Sequence, residues 1–170
     1  LKLRQKKKLF SNIGELMEEK MNWSTPEGLE VDIIEEIRKY VKQGITVSIG
    51  SDSMIKSDHI VFASAIGFHS FKKNVGNYFF ARKNYNRFEF STLYSRLGKE
   101  VMISIEIAKY IRSIFPEAKI EVHVDISDNP HHSSNILSDY AKAWNGYRQF
   151  RLIVKPNAWA ASGCADWHTK

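Results

Sequence analysis

The stretch Thr46–Met54, TVSIGSDSM, decides the fold. Val47 and Ile49 alternate with small residues, the period of a strand that buries one face. Gly50 and Ser51 then lead straight into Asp52. A carboxylate at the end of an apolar strand is costly to desolvate unless a cation, donors or water compensate it. The strand therefore raises a chemical question at its own end.

Downstream, HIVFASAIGFHSF (59–71) and GNYFFARKNY (76–85) carry the same strand signature, with KKNVG as the turn between them. Three strands with short connections predict an antiparallel meander. STLYSRLGKEVMISIEIAKYIRSIF (91–115) follows, where Leu97, Val101, Ile105, Ala108 and Ile111 mark the apolar stripe of a long helix. KIEVHVDIS (119–127) reads as the fourth strand, and SSNILSDYAKAWNGY (133–147) as a second helix capped by Ser133 or Ser134. RQFRLIVKP (148–156) reads as the fifth strand, stopped by Pro156, and residues 157–170 as a short closing helix. The order βββαβαβα predicts an α/β fold: a mixed five-stranded sheet flanked by helices.

Upstream, Ser24 or Thr25 as cap, Pro26 in the first turn and Gly44 as stop predict a helix over 25–43. Residues 9–21 predict a shorter amphipathic helix that Gly14 weakens. The chain thus divides into a basic N-terminal extension, 1–23, and a single domain, 24–170.

A hydrophobic fraction of 43% and a charged fraction of 26% are ordinary for a soluble globular protein. No apolar run is long enough to span a bilayer, and the basic N-terminus lacks the apolar region of a signal peptide. Cys164, the single cysteine, excludes an internal disulfide and a CxxC metal knuckle. These features fit a cytoplasmic protein. The net charge of +6 comes mainly from Lys2, Arg4, Lys6, Lys7 and Lys8, leaving 20 basic against 19 acidic residues in the other 162. Such an arm can contact phosphates or simply be solvated.

Asp125 ends the fourth strand as Asp52 ends the first. If the two strands are neighbours, both carboxylates converge at one sheet edge, where open α/β sheets place ligands. Close like charges need a cation, and oxygen ligands without a Cys or His set suit Mg²⁺ or Mn²⁺. The competing reading is turn and cap chemistry, strongest for Asp125 because SDNPHHSS follows it.

IGSDS, HVDIS and VKPNAWAASGCADWHTK, in that order over roughly residues 44–170, resemble the ribonuclease H-like superfamily and within it the YkuK-type family of ribonuclease H-related nucleases. The resemblance implies a metal-dependent nuclease that uses two divalent ions, Mg²⁺ or Mn²⁺, on RNA, RNA–DNA hybrid or structured or branched DNA. It implies that the metal-binding catalytic acids are Asp52, Asp125, Asp166 and a helix glutamate. Glu100, in KEVMISI, matches the early-helix position better than Glu106, which lies about 240° further round the helix. It also raises Lys155 and His168 as substrate contacts. The competing functions are a non-catalytic nucleic-acid-binding or assembly module on the same fold, and a metal-dependent phosphohydrolase of small molecules.

Other polar residues read more simply. His131 and His132 read as loop histidines, His123 as a packed strand residue and Cys164 as a small buried one. Ser51 and Ser53 read as donors that orient Asp52. Tyr78, Phe79, Phe80, Tyr85, Phe88 and Phe90, interleaved with Arg82, Lys83 and Arg87, have the composition of a nucleic-acid groove. Strand alternation turns half of them into the core.

Overall fold

A computed structural model of the chain describes residues 21–127, 129, 131, 135, 138–144 and 149–170. The basic arm, the helix expected over 9–21 apart from Met21, His132 and the candidate caps Ser133 and Ser134 lie outside the described residues.

The sheet is mixed and five-stranded, in the order β3-β2-β1-β4-β5. β1 (Val47–Ile55), β2 (His59–Ser70) and β3 (Val75–Asn86) form the expected antiparallel meander. β4 (Ile120–His123) lies parallel to β1, and β5 (Arg151–Ile153) parallel to β4. The helices are α1 (Ile33–Val41), α2 (Leu93–Ile114) and α3 (Ser138–Trp144). A 3₁₀ turn covers Arg87–Phe90, and a π-helical segment, Ala160–Ala165, closes the chain.

Two expectations need correction. The helix expected over 25–43 begins only at Ile33, where Asp32 Oδ1 accepts hydrogen bonds from Ile34 N at 3.0 Å and Glu35 N at 3.2 Å. Pro26-Glu27-Gly28 makes a tight turn instead. Gly28 takes φ +88°, and its N–H reaches the Thr25 carbonyl at 2.8 Å. Ser24 is thereby free to pair with Phe80 along the outer edge of β3, while Trp23 enters the core. The second correction is that Asp52 does not end β1. The strand runs on to Ile55, opposite Ile60 of the β2 partner.

α2 starts as a capped helix, with Thr92 Oγ1 accepting from Ser95 N at 3.0 Å. Its expected stripe, Leu97, Val101, Ile105, Ala108 and Ile111, is buried as predicted. This stripe and Ile33, Ile37 and Val41 of α1 cover one sheet face, meeting Val47, Ile49, Ile66, Phe68 and Val122. A buried serine chain ties α2 to the strands: Ser104 Oγ donates to Ser51 Oγ at 3.0 Å, and Ser51 Oγ lies 2.9 Å from Ser64 Oγ.

The opposite face is covered by the C-terminal segment. Glycines make the seat. A Cβ on Gly50 would fall 2.4 Å from Ala161 N, and one on Gly67 would fall 2.4 Å from the Trp159 ring. Among the described residues, no helix is long and apolar enough to cross a membrane.

Candidate metal centre

Pairing between β1 and β4 ends at Gly50↔His123. Asp52 and Asp125 each lie two residues beyond that pair, at the point where the strands part. By strand alternation both side chains share the face occupied by the C-terminal segment. That segment brings Asp166 to the same place. Thr169, itself buried, donates from Oγ1 to the Asp166 carbonyl at 2.8 Å and lies 3.4 Å from Asp52 Oδ2.

Glu100 reaches this end from α2, on the other side of the sheet. It is only 4% exposed, and its Oε1 accepts a hydrogen bond from Ser53 Oγ at 2.5 Å. Arg96, one turn earlier, lies 3.4 Å from both the carbonyl and the hydroxyl of Ser53. Glu106 is elsewhere. It is partly exposed, and the groups that feel its charge are Tyr85 and Lys99.

The electrostatics link the acids. Burial, then the charges of Asp125 and Asp166, push the Asp52 carboxyl up to about 6. Burial, then the Asp52 charge, hold Glu100 well above the usual carboxylate range. Two lysines offset part of this negative charge. Lys170 Nζ bonds to Asp166 Oδ2 at 2.9 Å. Lys155 Nζ sits 3.1 Å from Asp125 Oδ1 but outside hydrogen-bonding geometry. That buried oxygen therefore has an ionic neighbour and no hydrogen-bond donor.

The turn after Asp125 is tied by other side chains. Ser127 Oγ accepts from Asn129 N at 3.1 Å, and Asn129 Oδ1 accepts from His131 N at 3.0 Å. Among the described residues, no hydrogen bond joins Asp125 Oδ1 to that turn. The donor set is all oxygen and suits a hard divalent ion. Its spacing is looser than a formed centre: among the described residues, no three His, Cys, Asp or Glu side chains are gathered closely enough to hold a metal. Carboxylates without a cation repel one another, and here two of them are drawn towards lysines.

Neighbouring groups hold most of the remaining candidates. His168 is 4% exposed and stacks on Phe80, with ring centroids 3.4 Å apart and planes within 7°. Its Nδ1 faces Arg82 Nη2 at 3.4 Å and its Nε2 faces Tyr78 Oη at 3.1 Å. A guanidinium can only donate, so Nδ1 accepts and the ring proton is assigned to Nε2. Burial, reinforced by the Arg82 charge, keeps this imidazole below its usual pKa and neutral. His123 is fully buried, accepts from Ala160 N through Nδ1 at 3.1 Å and meets Trp159 edge-on. It fixes the start of the C-terminal segment. His131 is exposed. Cys164 lies against Ala63, Ala65 and Ala165, and burial pushes its thiol up to about 11. The Ser53 hydroxyl donates to Glu100 while its backbone N–H donates to the Asp52 carboxylate, and Ser51 belongs to the buried serine chain.

Sequence reasoning missed Thr169 as the residue beside Asp52, and Arg82 as a member of the same neighbourhood. Strand register carries the second signal: Asp52 pairs with Ala63, and Ala63 pairs with Arg82.

No curated protein and no solved structure matches the chain. Residues 30–170 match the family model described as ribonuclease H-like, a span that holds all five strands, the three helices and all four acids. The chain belongs to the ribonuclease H-like family.

Proposed function

We propose that the protein is a metal-dependent nuclease that hydrolyses phosphodiester bonds in RNA, RNA–DNA hybrid or structured DNA. The observation that carries this reading is the set of four electrostatically linked carboxylates at one end of the sheet, two of them held above the ordinary range by burial and by neighbouring acids of the set. Asp52, Glu100, Asp125 and Asp166 are the residues that would hold the ions. The buried Asp125 oxygen without a donor is a ligand atom of the right chemistry.

Two Mg²⁺ or Mn²⁺ ions held by these acids would supply an activated water and charge stabilisation of the departing oxygen. The protein's own part is positioning. Ser53 fixes the Glu100 carboxylate, and Thr169 lies against Asp52. The glycine seats at Gly50 and Gly67 set the height of the segment that carries Asp166. Lys155 and Lys170, each paired with a carboxylate, are placed to turn to substrate phosphate once those acids have another cation. Attack on phosphorus with release of the 3′ oxygen leaves 5′-phosphate and 3′-hydroxyl ends.

The test is cleavage of labelled hybrid, duplex, single-stranded and junction substrates in Mg²⁺, Mn²⁺ or EDTA, with wild type, Asp52→Asn and Asp125→Asn. Metal-dependent cutting that both substitutions abolish is the expected result. Binding without cutting, equal in all three proteins, would instead make the chain a nucleic-acid-binding module.

A further inference from the structure

Beside the carboxylates lies a polar cleft of about 520 Å³, walled by the β1–β2 turn, the outer half of β3 and the last three residues. Three of its lining residues are Lys56, Arg82 and Lys170. Lys170 is paired with Asp166. Among the described residues, neither Lys56 nor Arg82 forms a salt bridge to a carboxylate. Lys56 Nζ instead donates to the Lys170 carbonyl at 3.1 Å. Asp58, the acid of this cleft, is tied to His59 at 2.6 Å.

Arg82 is exposed but not loose. Its guanidinium lies 5.3 Å from the centroid of Phe80 and donates to His168 Nδ1. Register puts it opposite Ala63, which is opposite Asp52, so the three residues form one row on one face of the sheet. Two strand spacings set Arg82 about 10 Å from Asp52. The small Ala63 between them leaves room for His168 and Thr169 to lie across the row.

We infer that this cleft holds a backbone phosphate of the nucleic-acid strand next to the one being cut, with Arg82 as its anchor and Lys56 as its second cation. The inference rests on the nuclease reading for its ligand, and on the row Asp52–Ala63–Arg82 for its position. A guanidinium held against two aromatic rings keeps its remaining N–H donors pointed outward and matches a phosphate in shape and charge. His168 is then a positioning residue for Arg82, not a substrate contact.

The experiment is anisotropy of a short fluorescein-labelled RNA strand in EDTA over a series of salt concentrations, alongside cleavage of the same strand in Mn²⁺. Arg82→Ala and Lys56→Ala should each weaken binding about tenfold and lower the salt-dependence slope by about one. Lys119→Ala, which removes a charge at the opposite end of the sheet, should change neither. Unchanged affinity and slope in both cleft variants would overturn the inference, as would a wild type that binds no RNA. If the cleft variants lose affinity but the wild type cuts nothing in Mn²⁺, the cleft stands and the nuclease reading falls. Cutting by the wild type with full affinity in both cleft variants gives the reverse.

Discussion

Gly50 and Ala161 meet backbone to backbone: a Cβ on Gly50 would lie 2.4 Å from the Ala161 nitrogen and 2.6 Å from the Ala160 carbonyl carbon. Neither atom is the end of a flexible side chain, so the strand and the segment that bears Asp166 would have to separate. Gly50→Ala should cost about 3 kcal/mol, at the upper part of the range for overpacking, or roughly 10 °C in Tm. Gly67→Ala meets the Trp159 ring instead, and a ring can tilt, so its cost should be nearer 1 kcal/mol. Thermal melts of the two variants compare these directly. A Gly50→Ala protein as stable as wild type would refute the close contact.

Cys164 should be a poor nucleophile. With its thiol pushed up to about 11 by burial, the thiolate is on the order of one part in a thousand at pH 8. Thiol reagents should label the native protein far more slowly than the urea-unfolded chain, and Cys164→Ser should cleave as wild type does. Fast native labelling would contradict the burial.

The strands and α2 were legible because their signals are local: alternation over 46–54, 59–71 and 76–85, and a helical stripe from Leu97 to Ile111. The start of α1 was misread because Pro26 suits both a first helical turn and a tight turn. What decides is Gly28 at positive φ and the burial of Trp23, a tertiary demand. The same limit applied at the site. Asp52 and Asp125 could be picked from their strands, whereas Thr169 and Arg82 reach that place through register and through the glycine seat. A single residue type does not announce such relationships.

Asp52 makes the metal-free protein pH-sensitive. Its folded pKa of about 6 stands above the ordinary 3.8, so the folded state holds this proton more tightly than the unfolded state does. Stability therefore falls as pH rises between those two values, and the penalty is complete above about pH 6. The shift corresponds to about 1–3 kcal/mol after allowance for partial solvent screening. Urea unfolding in EDTA at pH 4.5 and pH 7.5 should show Asp52→Asn gaining on wild type by that amount at the higher pH. An equal difference at both pH values would remove the effect from Asp52.

Glu100→Gln separates the two glutamates of α2. The amide oxygen can still accept from Ser53, while a buried ionisable carboxyl beside Asp52 disappears. Without divalent ions the variant should melt a few degrees higher than wild type, because a buried carboxyl that is costly to ionise is removed. The Tm rise that Mn²⁺ gives wild type should shrink, and cleavage should fall at least about a hundredfold. Glu106→Gln, on the partly exposed side of the helix, should leave all three readings unchanged. The opposite pattern would make Glu106 the ligand.

Lys155 distinguishes a competitor of the metal from a prop of the site. Its ammonium and the Asp125 carboxylate are 35% and 21% exposed, 3.1 Å apart and poorly aligned for a hydrogen bond. Such a pair contributes about 0–1 kcal/mol, so Lys155→Met should unfold within about 1 kcal/mol of wild type. Removing the cation that holds Asp125 should also tighten Mn²⁺ binding severalfold in a calorimetric titration. Cleavage should nonetheless weaken by about tenfold in kcat/KM, the size of one lost charge-assisted phosphate contact. Tighter metal binding with weaker cleavage would assign Lys155 to the substrate. Weaker metal binding would show instead that the lysine holds Asp125 in place, and the phosphate contact would have to come from elsewhere.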